Sequence, residues 1–181
     1  MSCIALMVAV FVTDPDSYLQ YQSDVDRSGE SWRLITAHFV HLDWLHLLLN
    51  LSGLWLLWLL VGGTFSGDQW VLVVVLLSLS ITGGLWVFSP EVGWYVGLSG
   101  LLYGMLAAGL VVAIKALRSS FTLVFILVLL KAVYDSFYGP VSLVDVTAHQ
   151  VITDAHVYGI VSGTVIGATG RLLAGRQDQS G

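Results

Sequence analysis

Charge is the scarcest feature of this 181-residue sequence, in which Asp, Glu, Lys and Arg together make up 10% of the residues. Soluble domains carry about 25% charged residues, whereas 56% of the residues here are hydrophobic. So few charges do not supply the polar surface that a water-soluble core of this size needs. The composition therefore excludes a protein solvated by water alone and predicts that many apolar side chains face lipid.

Cysteine, proline and basic clusters are also scarce. The single cysteine, Cys3, excludes an internal disulfide, so the stability of the fold must come from helix packing. The sequence has no basic run, and its net charge is −5, so nothing in it indicates a nucleic-acid partner. The three prolines, Pro15, Pro90 and Pro140, each follow an apolar stretch, where the ring can end a helix without breaking an interior hydrogen bond.

Five apolar stretches are long enough to cross a membrane, which takes about 20 residues. A sixth stretch, residues 1–12, would reach only about 18 Å as a helix, so we expect a first helix that is short or truncated. The predicted fold is all-α, a polytopic membrane bundle of six transmembrane helices in one domain, residues 1–171. A short cytoplasmic tail at 172–181 is expected to be disordered. The five full spans cover roughly residues 38–61, 69–89, 94–114, 120–139 and 150–171.

The basic residues predict which helix ends face the cytoplasm. Lys115 and Arg118 follow the fourth span, and Arg171 and Arg176 follow the sixth. Because basic residues are enriched in cytoplasmic loops, the C-terminus should be cytoplasmic. The acidic loop at 13–37 then lies on the outer side.

Three spans contain polar residues, which are costly at membrane depth and are functional candidates by default. These spans should all run from outside to inside. Counted from the predicted cytoplasmic ends, Ser99 lies sixteen residues away, His156 fifteen and His46 sixteen. At 1.5 Å per residue, each lies roughly 22 to 24 Å above that end. The three side chains are thus predicted to share one level in the outer part of the bilayer, with Asn50 one turn below His46.

A hydroxyl and an imidazole at one depth point to nucleophilic catalysis. A serine hydroxyl is a poor nucleophile until a neighbouring base takes its proton, and a neutral imidazole is the usual base. We therefore predict that Ser99 is the nucleophile and His156 its base. The oxyanion formed on attack needs hydrogen-bond donors, which the Ser99 backbone N–H, the His46 ring and the Asn50 amide could supply. Asp154 lies about 200° around the helix from His156, so it should not complete a triad.

Small residues recur every four positions after both catalytic candidates. Such stripes let helices approach each other closely in lipid. If the fourth and sixth spans touch along these stripes, Ser99 faces His156, and Tyr103 lies where it could support the His156 ring. The two stripes consist of Gly100 and Gly104, and of Gly159 and Gly163.

Taken together, these motifs resemble those of the rhomboid intramembrane serine proteases. Trp32-Arg33 precedes His41, and His41, His46 and Asn50 form the family's His-x4-His-x3-Asn pattern. The match covers nearly the whole chain and departs from the family mainly in the short first span. Two further motifs follow in the family's order, Gly97-Leu98-Ser99-Gly100 with Tyr103, and Ala155-His156 with Gly159 and Gly163.

The resemblance implies a rhomboid-like fold with a Ser99–His156 dyad, no acidic third member, no metal and no cofactor. It implies an oxyanion site formed by His46, Asn50 and the Ser99 amide. The substrates would be transmembrane or juxtamembrane segments of other membrane proteins, cleaved in membrane lipid toward the outer side. Supporting roles are implied for the remaining motif residues, Tyr103, His41, Gly97, Gly100, Gly159, Gly163, Trp32 and Arg33.

Two runs are also similar to one bacterial subgroup, the rhombosortases, which are associated with the processing of proteins that carry a C-terminal Gly-Gly sorting tail. These runs are WRLITAHFVHLDWLHLLLNLSGLW and GLSGLLYG. The similarity implies a multi-pass protein of the bacterial inner membrane.

Two alternatives remain open. A metal-binding channel or transporter could use His38, His41, Asp43 and His46, although a spacing of five does not align His41 and His46 well on one helix face. A non-catalytic rhomboid-like substrate binder is the other, although it would be expected to have lost the serine and histidine of the dyad. No motif requires His38, which we expect to be a structural residue near the membrane interface.

Overall fold

The protein is mainly helical in the residues that the computed structural model describes, which are 10–11, 18–24, 29–113, 123, 126–127, 130–131, 134 and 152–177. The elements in chain order are β1 (Val10–Phe11), β2 (Tyr21–Gln22), α1 (Arg33–Thr36), a 3-10 turn (Ala37–Phe39), β3 (Val40–His41), α2 (Trp44–Val61), α3 (Gly67–Phe88), β4 (Trp94–Tyr95), α4 (Ser99–Ala113) and α5 (Thr153–Gln177).

The core lies where α3, α4 and α5 meet. Leu77, Ile81 and Leu85 on α3 are fully buried, and so is Leu101 on α4. The α3 residues recur every four positions, so they form one apolar stripe that faces the core. This stripe fixes α3 against the two helices that carry Ser99 and His156.

Helices α2 and α3 are long and apolar enough to cross a membrane. They contain 18 and 22 residues, with mean hydropathies of 1.8 and 2.4, and a span needs about 20 residues. Only 22% and 33% of these hydrophobic windows are buried inside the protein. Large apolar side chains such as Trp55 and Leu72 therefore point outward, which is the surface that lipid favours. Helix α4 is also apolar but has 15 residues.

Two helices begin at least five residues later than we predicted. The second span was predicted from residue 38, but α2 begins at Trp44, because Asp43 is extended and its carboxylate accepts a hydrogen bond from the His46 N–H at 2.7 Å. His38 and His41 therefore precede the helix instead of lying on it. The fourth span was predicted from residue 94, but α4 begins at Ser99, since β4 occupies the first positions.

The predicted helix at residues 1–12 is wrong at residues 10 and 11, which form β1. This strand pairs in parallel with β3, with Val10 opposite Val40 and Phe11 opposite His41. The rest of that range lies outside the described residues. In the predicted span at 120–139, the described positions 123, 126, 127, 130, 131 and 134 are helical and exposed, and the other positions are not described. The count of six transmembrane helices therefore stays a prediction.

Helix α5 continues beyond its predicted end. The span was expected to end at 171 and to be followed by a disordered tail, but the helix runs to Gln177. The sequence Leu172-Leu173-Ala174 has high helix propensity, which accounts for the extension. Residues 178–181 lie outside the described part of the chain.

Hydrogen bonds from Trp32 and Arg33 hold the segment before α1 in place. The Trp32 indole N–H donates to the Tyr18 carbonyl at 3.1 Å, and the Arg33 guanidinium donates to the Gln20 carbonyl at 2.9 Å. Arg33 also pairs with Glu30 at 2.7 Å and is buried. The segment held in this way contains β2, which pairs in antiparallel fashion with β4. The two motif residues thus support the strand that leads directly to Ser99.

Glycines bring α4 and α5 together at backbone distance, as their spacing predicts. A Cβ on Gly159 would overlap the carbonyl oxygen of Gly100, and one on Gly163 would overlap that of Gly104. A Cβ on Gly104 would lie 2.9 Å from the Gly159 carbonyl oxygen. Only residues without a side chain allow this approach. The contact fixes the relative position of the two helix N-termini.

Candidate active site

The N-terminal ends of α4 and α5 bring Ser99 and His156 into contact. The Ser99 Oγ lies 2.9 Å from the His156 Nε2, which is hydrogen-bond distance. Ser99 is the first residue of its helix, and His156 lies in the first turn of the other. The close approach continues at this level, because a Cβ on Gly100 would lie 3.1 Å from the Ala155 carbonyl oxygen. A hydroxyl donor and an imidazole acceptor in this geometry can exchange a proton.

Tyr103 packs against the His156 ring. It lies one turn below Ser99 on α4, and the centres of the two rings are 4.6 Å apart at an angle of 43°. His156 is 6% exposed. Packing of this kind restricts rotation of the imidazole and so keeps Nε2 directed at Ser99.

Asp154 makes its contacts away from the His156 ring. Its carboxylate accepts a hydrogen bond from the Ser89 hydroxyl at 2.6 Å, and the same hydroxyl lies 2.8 Å from the Tyr158 hydroxyl. These contacts join the C-terminal end of α3 to the first turn of α5. The roughly 200° separation had excluded Asp154 as a partner of His156, but no spacing in the sequence linked it to Ser89.

Gly97 and His46 lie side by side next to Ser99. Gly97 has a φ of +128°, which side-chain-bearing residues rarely adopt. A Cβ at this position would also lie 3.1 Å from Cε1 and 3.2 Å from Nε2 of His46. The glycine thus satisfies a backbone requirement and lets the His46 ring approach the segment that carries Ser99.

Asn50 lies one turn below His46 on α2 and is 5% exposed. Its amide nitrogen has no hydrogen-bond partner among the described residues. A buried donor without a partner costs about 1 to 3 kcal/mol, and in native structures such groups call for an explanation. A donor kept available for negative charge that develops on a substrate is one such explanation.

His41 packs behind His46. The two rings meet edge to face, with centres 5.2 Å apart at 69°, and His41 is fully buried in β3. Burial, together with the neighbouring His46, lowers the pKa of His41 to about 4. A neutral His41 can therefore position the His46 ring without adding charge to the site.

His38, which we expected to be a structural residue near the membrane interface, is fully buried. Its Nε2 lies 3.2 Å from the Ser78 carbonyl oxygen of α3, and its ring meets Tyr95 edge to face at 5.4 Å. Burial lowers the pKa of His38 to about 4, only partly opposed by the hydrogen bond to Ser78. The 3-10 turn directs this side chain inward.

The metal-site alternative finds no support in the described residues. His38 is directed at Ser78, and the Asp43 carboxylate caps α2. Within the described ranges, no three side chains of His, Cys, Asp or Glu lie close enough together to hold a metal ion.

Acidification should destabilise the fold through His38. The unfolded chain binds this proton with a pKa near 6.5, but the folded chain binds it only near 4. Between these values the unfolded state holds more protons, so stability present at pH 7 is lost as the pH falls, by up to about 3 kcal/mol. Thermal unfolding in detergent at about pH 7 and about pH 4.5 measures the loss.

The control for this prediction is His38→Gln, which cannot titrate but can still donate to the Ser78 carbonyl. Its melting temperature should fall less than that of the wild type over the same pH interval. The other titrating groups, including His41, contribute to both proteins and cancel in the comparison. Equal falls in the two proteins would contradict a depressed pKa at His38.

Residues 28–172 match the sequence model of the Rhomboid domain. The chain is also 29% identical over 141 residues to the rhomboid protease GluP of Bacillus subtilis. This alignment covers 75% of the chain and 25% of GluP. The chain is 30% identical over 109 residues to the rhomboid protease GlpG of Haemophilus influenzae. This alignment covers 58% of the chain and 55% of GlpG. The chain thus spans about a quarter and about half of the lengths of these two relatives.

Proposed function

The chain belongs to the membrane-integral rhomboid family, and from this premise we propose that it is an intramembrane serine endopeptidase with a Ser99–His156 dyad. The observation that carries the proposal is the 2.9 Å contact between the Ser99 Oγ and the His156 Nε2. It lies in a protein whose helices α2 and α3 present apolar side chains outward. A nucleophile and base in this setting suit hydrolysis of a peptide bond at a lipid-exposed segment.

The reaction begins with transfer of the Ser99 proton to His156. As the Oγ attacks the carbonyl carbon of the scissile peptide, the Nε2 takes the proton, and a tetrahedral oxyanion forms. The protonated imidazole then gives its proton to the leaving amine, which leaves an acyl-enzyme on Ser99. Water, deprotonated by the same nitrogen, releases the new carboxyl end and restores the hydroxyl.

We assign three donors to stabilisation of the oxyanion. The Ser99 backbone N–H lies in the first turn of α4, where backbone donors lack intrahelical partners. The His46 ring lies against Gly97, and the buried Asn50 amide is one turn below it on α2. Donors of this kind are effective because the site is shielded from water and they need not reorganise during the reaction.

The active site would face the outer side of the membrane, with the C-terminus in the cytoplasm. Ser99 and His156 lie at the N-terminal ends of their helices, and Arg171 lies toward the other end of α5. Its guanidinium donates to the Val111 carbonyl at 3.4 Å, so the basic residue sits near the far end of α4 as well. The excess of basic residues on cytoplasmic sides supports this orientation.

The substrates would be transmembrane or juxtamembrane segments of proteins in the bacterial inner membrane. Proteins with a C-terminal Gly-Gly sorting tail are the class that we propose, because the runs around His41 and Ser99 resemble those of rhombosortases. Cleavage of such a tail by the purified protein, compared with the same substrate lacking the two glycines, would test the subgroup assignment.

Covalent labelling by a serine-directed fluorophosphonate tests the dyad. The wild-type protein should be labelled at Ser99, and His156→Gln should lower the labelling rate by at least about 10²-fold, because general-base assistance is worth about 10² to 10⁴. Mass spectrometry of the labelled peptide identifies the modified residue.

The matched control is Asp154→Asn, which removes a nearby carboxylate that does not orient the His156 ring. This variant should be labelled within a few-fold of the wild-type rate. A loss as large as that of His156→Gln would mean that Asp154 acts as a third catalytic member. Absence of labelling in the folded wild type would favour the non-catalytic alternative.

A further inference from the structure

A single phenol lies against the backbone on both sides of Ser99. The Tyr95 O–H donates to the Gly97 carbonyl at 2.7 Å, and the same oxygen lies 3.1 Å from the position that a Cβ on Gly100 would occupy. Tyr95 is 2% exposed. Its hydroxyl therefore bonds to the residue two positions before Ser99 and packs against the residue that follows Ser99.

The Tyr95 ring packs against the ring of His38. The rings meet at 65° with centres 5.4 Å apart, and the His38 Nδ1 lies 3.5 Å from the Tyr95 hydroxyl. The other nitrogen of His38 is bound to the Ser78 carbonyl of α3 at 3.2 Å. The backbone beside His38 makes a second attachment, because the Gly97 N–H donates to the Ala37 carbonyl at 3.0 Å.

Such a constraint is needed because Gly97 is a glycine. Without a side chain, its backbone populates a wide range of dihedral angles, yet the site uses a single conformation in which the His46 ring lies next to it. Burial lowers the pKa of His38 and raises that of Tyr95. Both rings therefore stay neutral near pH 7, and the phenol keeps the proton that it donates to Gly97.

We propose that Tyr95 and His38 are positioning residues that fix the backbone from Gly97 to Gly100, so that the Ser99 N–H faces the oxyanion beside His46. The inference rests on the proposed proteolytic function, and it assigns neither residue a contact with reacting atoms. Because they act on the transition state and not on substrate docking, their loss should lower kcat and leave KM nearly unchanged.

Steady-state cleavage by the full chain in detergent micelles tests the pair with three variants. Tyr95→Phe keeps the ring and removes the hydroxyl, and it should lower kcat by about 10- to 100-fold, the range expected for a small misplacement of catalytic groups. His38→Gln keeps a donor for Ser78 but loses the ring edge, and it should lower kcat by about 3- to 10-fold with KM within about twofold. Tyr18→Phe removes an exposed tyrosine hydroxyl and should match the wild type.

Fluorophosphonate labelling gives a second readout, because it needs the same oxyanion donors but no bound peptide. Its rate should fall in Tyr95→Phe by the same factor as kcat. Wild-type rates in Tyr95→Phe, or a rise in KM at constant kcat, would overturn the inference. If Tyr95→Phe does not fold, His38→Gln decides by the same criteria. A wild-type protein that neither cleaves nor labels would refute the proposed function itself, and that result is visible before any variant is compared.

Discussion

Replacing Ser99 with alanine should lower the rate of substrate cleavage by at least about 10⁴-fold, because removal of a serine nucleophile leaves only binding and oxyanion stabilisation. The Ser99 hydroxyl lies 2.9 Å from the His156 Nε2. Cleavage of a Gly-Gly-tailed membrane substrate, followed by gel electrophoresis and mass spectrometry, measures the change. Thermal unfolding should be nearly unaltered, since alanine is favourable in helices.

The matched control is Ser52→Ala, which removes a serine from the exposed face of α2. The Ser52 hydroxyl donates only to the Leu48 carbonyl of its own helix, at 2.8 Å, so its loss should leave cleavage within about twofold. Together the two variants separate a chemical role from a general effect of removing a hydroxyl from a membrane helix. Cleavage retained in Ser99→Ala would refute the serine mechanism.

Gly163→Ala should have the second-largest effect, although residue 163 lies two turns below the site. The added Cβ would overlap the Gly104 carbonyl oxygen, which is backbone and has no rotamer by which to move aside. The helices α4 and α5 must then separate, at a cost of more than about 3 kcal/mol, beyond the range typical of overpacked cores. Because the separation also moves His156 away from Ser99, cleavage should fall by more than about 10²-fold.

Gly83→Ala provides the comparison for this substitution. Gly83 lies within α3, and nothing is found within 4 Å of the position that its Cβ would occupy. Alanine there should be neutral or stabilise the helix by up to about 1 kcal/mol. Melting temperatures of the two variants in detergent give the result, and equal values would contradict the close backbone contact between α4 and α5.

The pairing of Ser99 with His156 could be predicted because helical rise is constant. Counting residues from the basic ends of two helices that run in the same direction was enough to place both side chains at one level. The same regularity excluded Asp154 as a partner of the His156 ring. Glycine spacing supplied the remaining information, since Gly100 and Gly159 allow the two helices to meet at backbone distance.

The predicted start of α2 was wrong because hydropathy does not distinguish an apolar helix from an apolar turn and strand. The residue that indicates the true start is Asp43, which is suited to cap a helix. The helix begins after this cap, although the residues before it are also apolar. The strand at Val10–Phe11 was missed for a related reason, since its partner is β3, far along the chain. Strand pairing of this kind leaves no periodic pattern in either segment.

The contacts that run through His38 and Tyr95 could not be read from the sequence. The series of contacts from Ser78 through His38 and Tyr95 to Gly97 joins residues from three elements with no common spacing in the sequence. Each contact depends on where α3 lies relative to the segment before α2, which only the folded chain determines. The sequence therefore predicts the reacting groups better than it predicts the residues that hold them in place.

The backbone contact between α4 and α5 also increases the number of codons at which a single missense change should abolish cleavage. Every missense change in a glycine codon adds atoms, so at Gly159 and Gly163 each such change places a side chain against the carbonyl oxygens of the facing helix. A random-mutagenesis screen for lost cleavage should therefore recover these glycine codons about as readily as those of the dyad. A codon such as that of Gly83, with open space at the position of its Cβ, should appear less often in the collection of inactive clones.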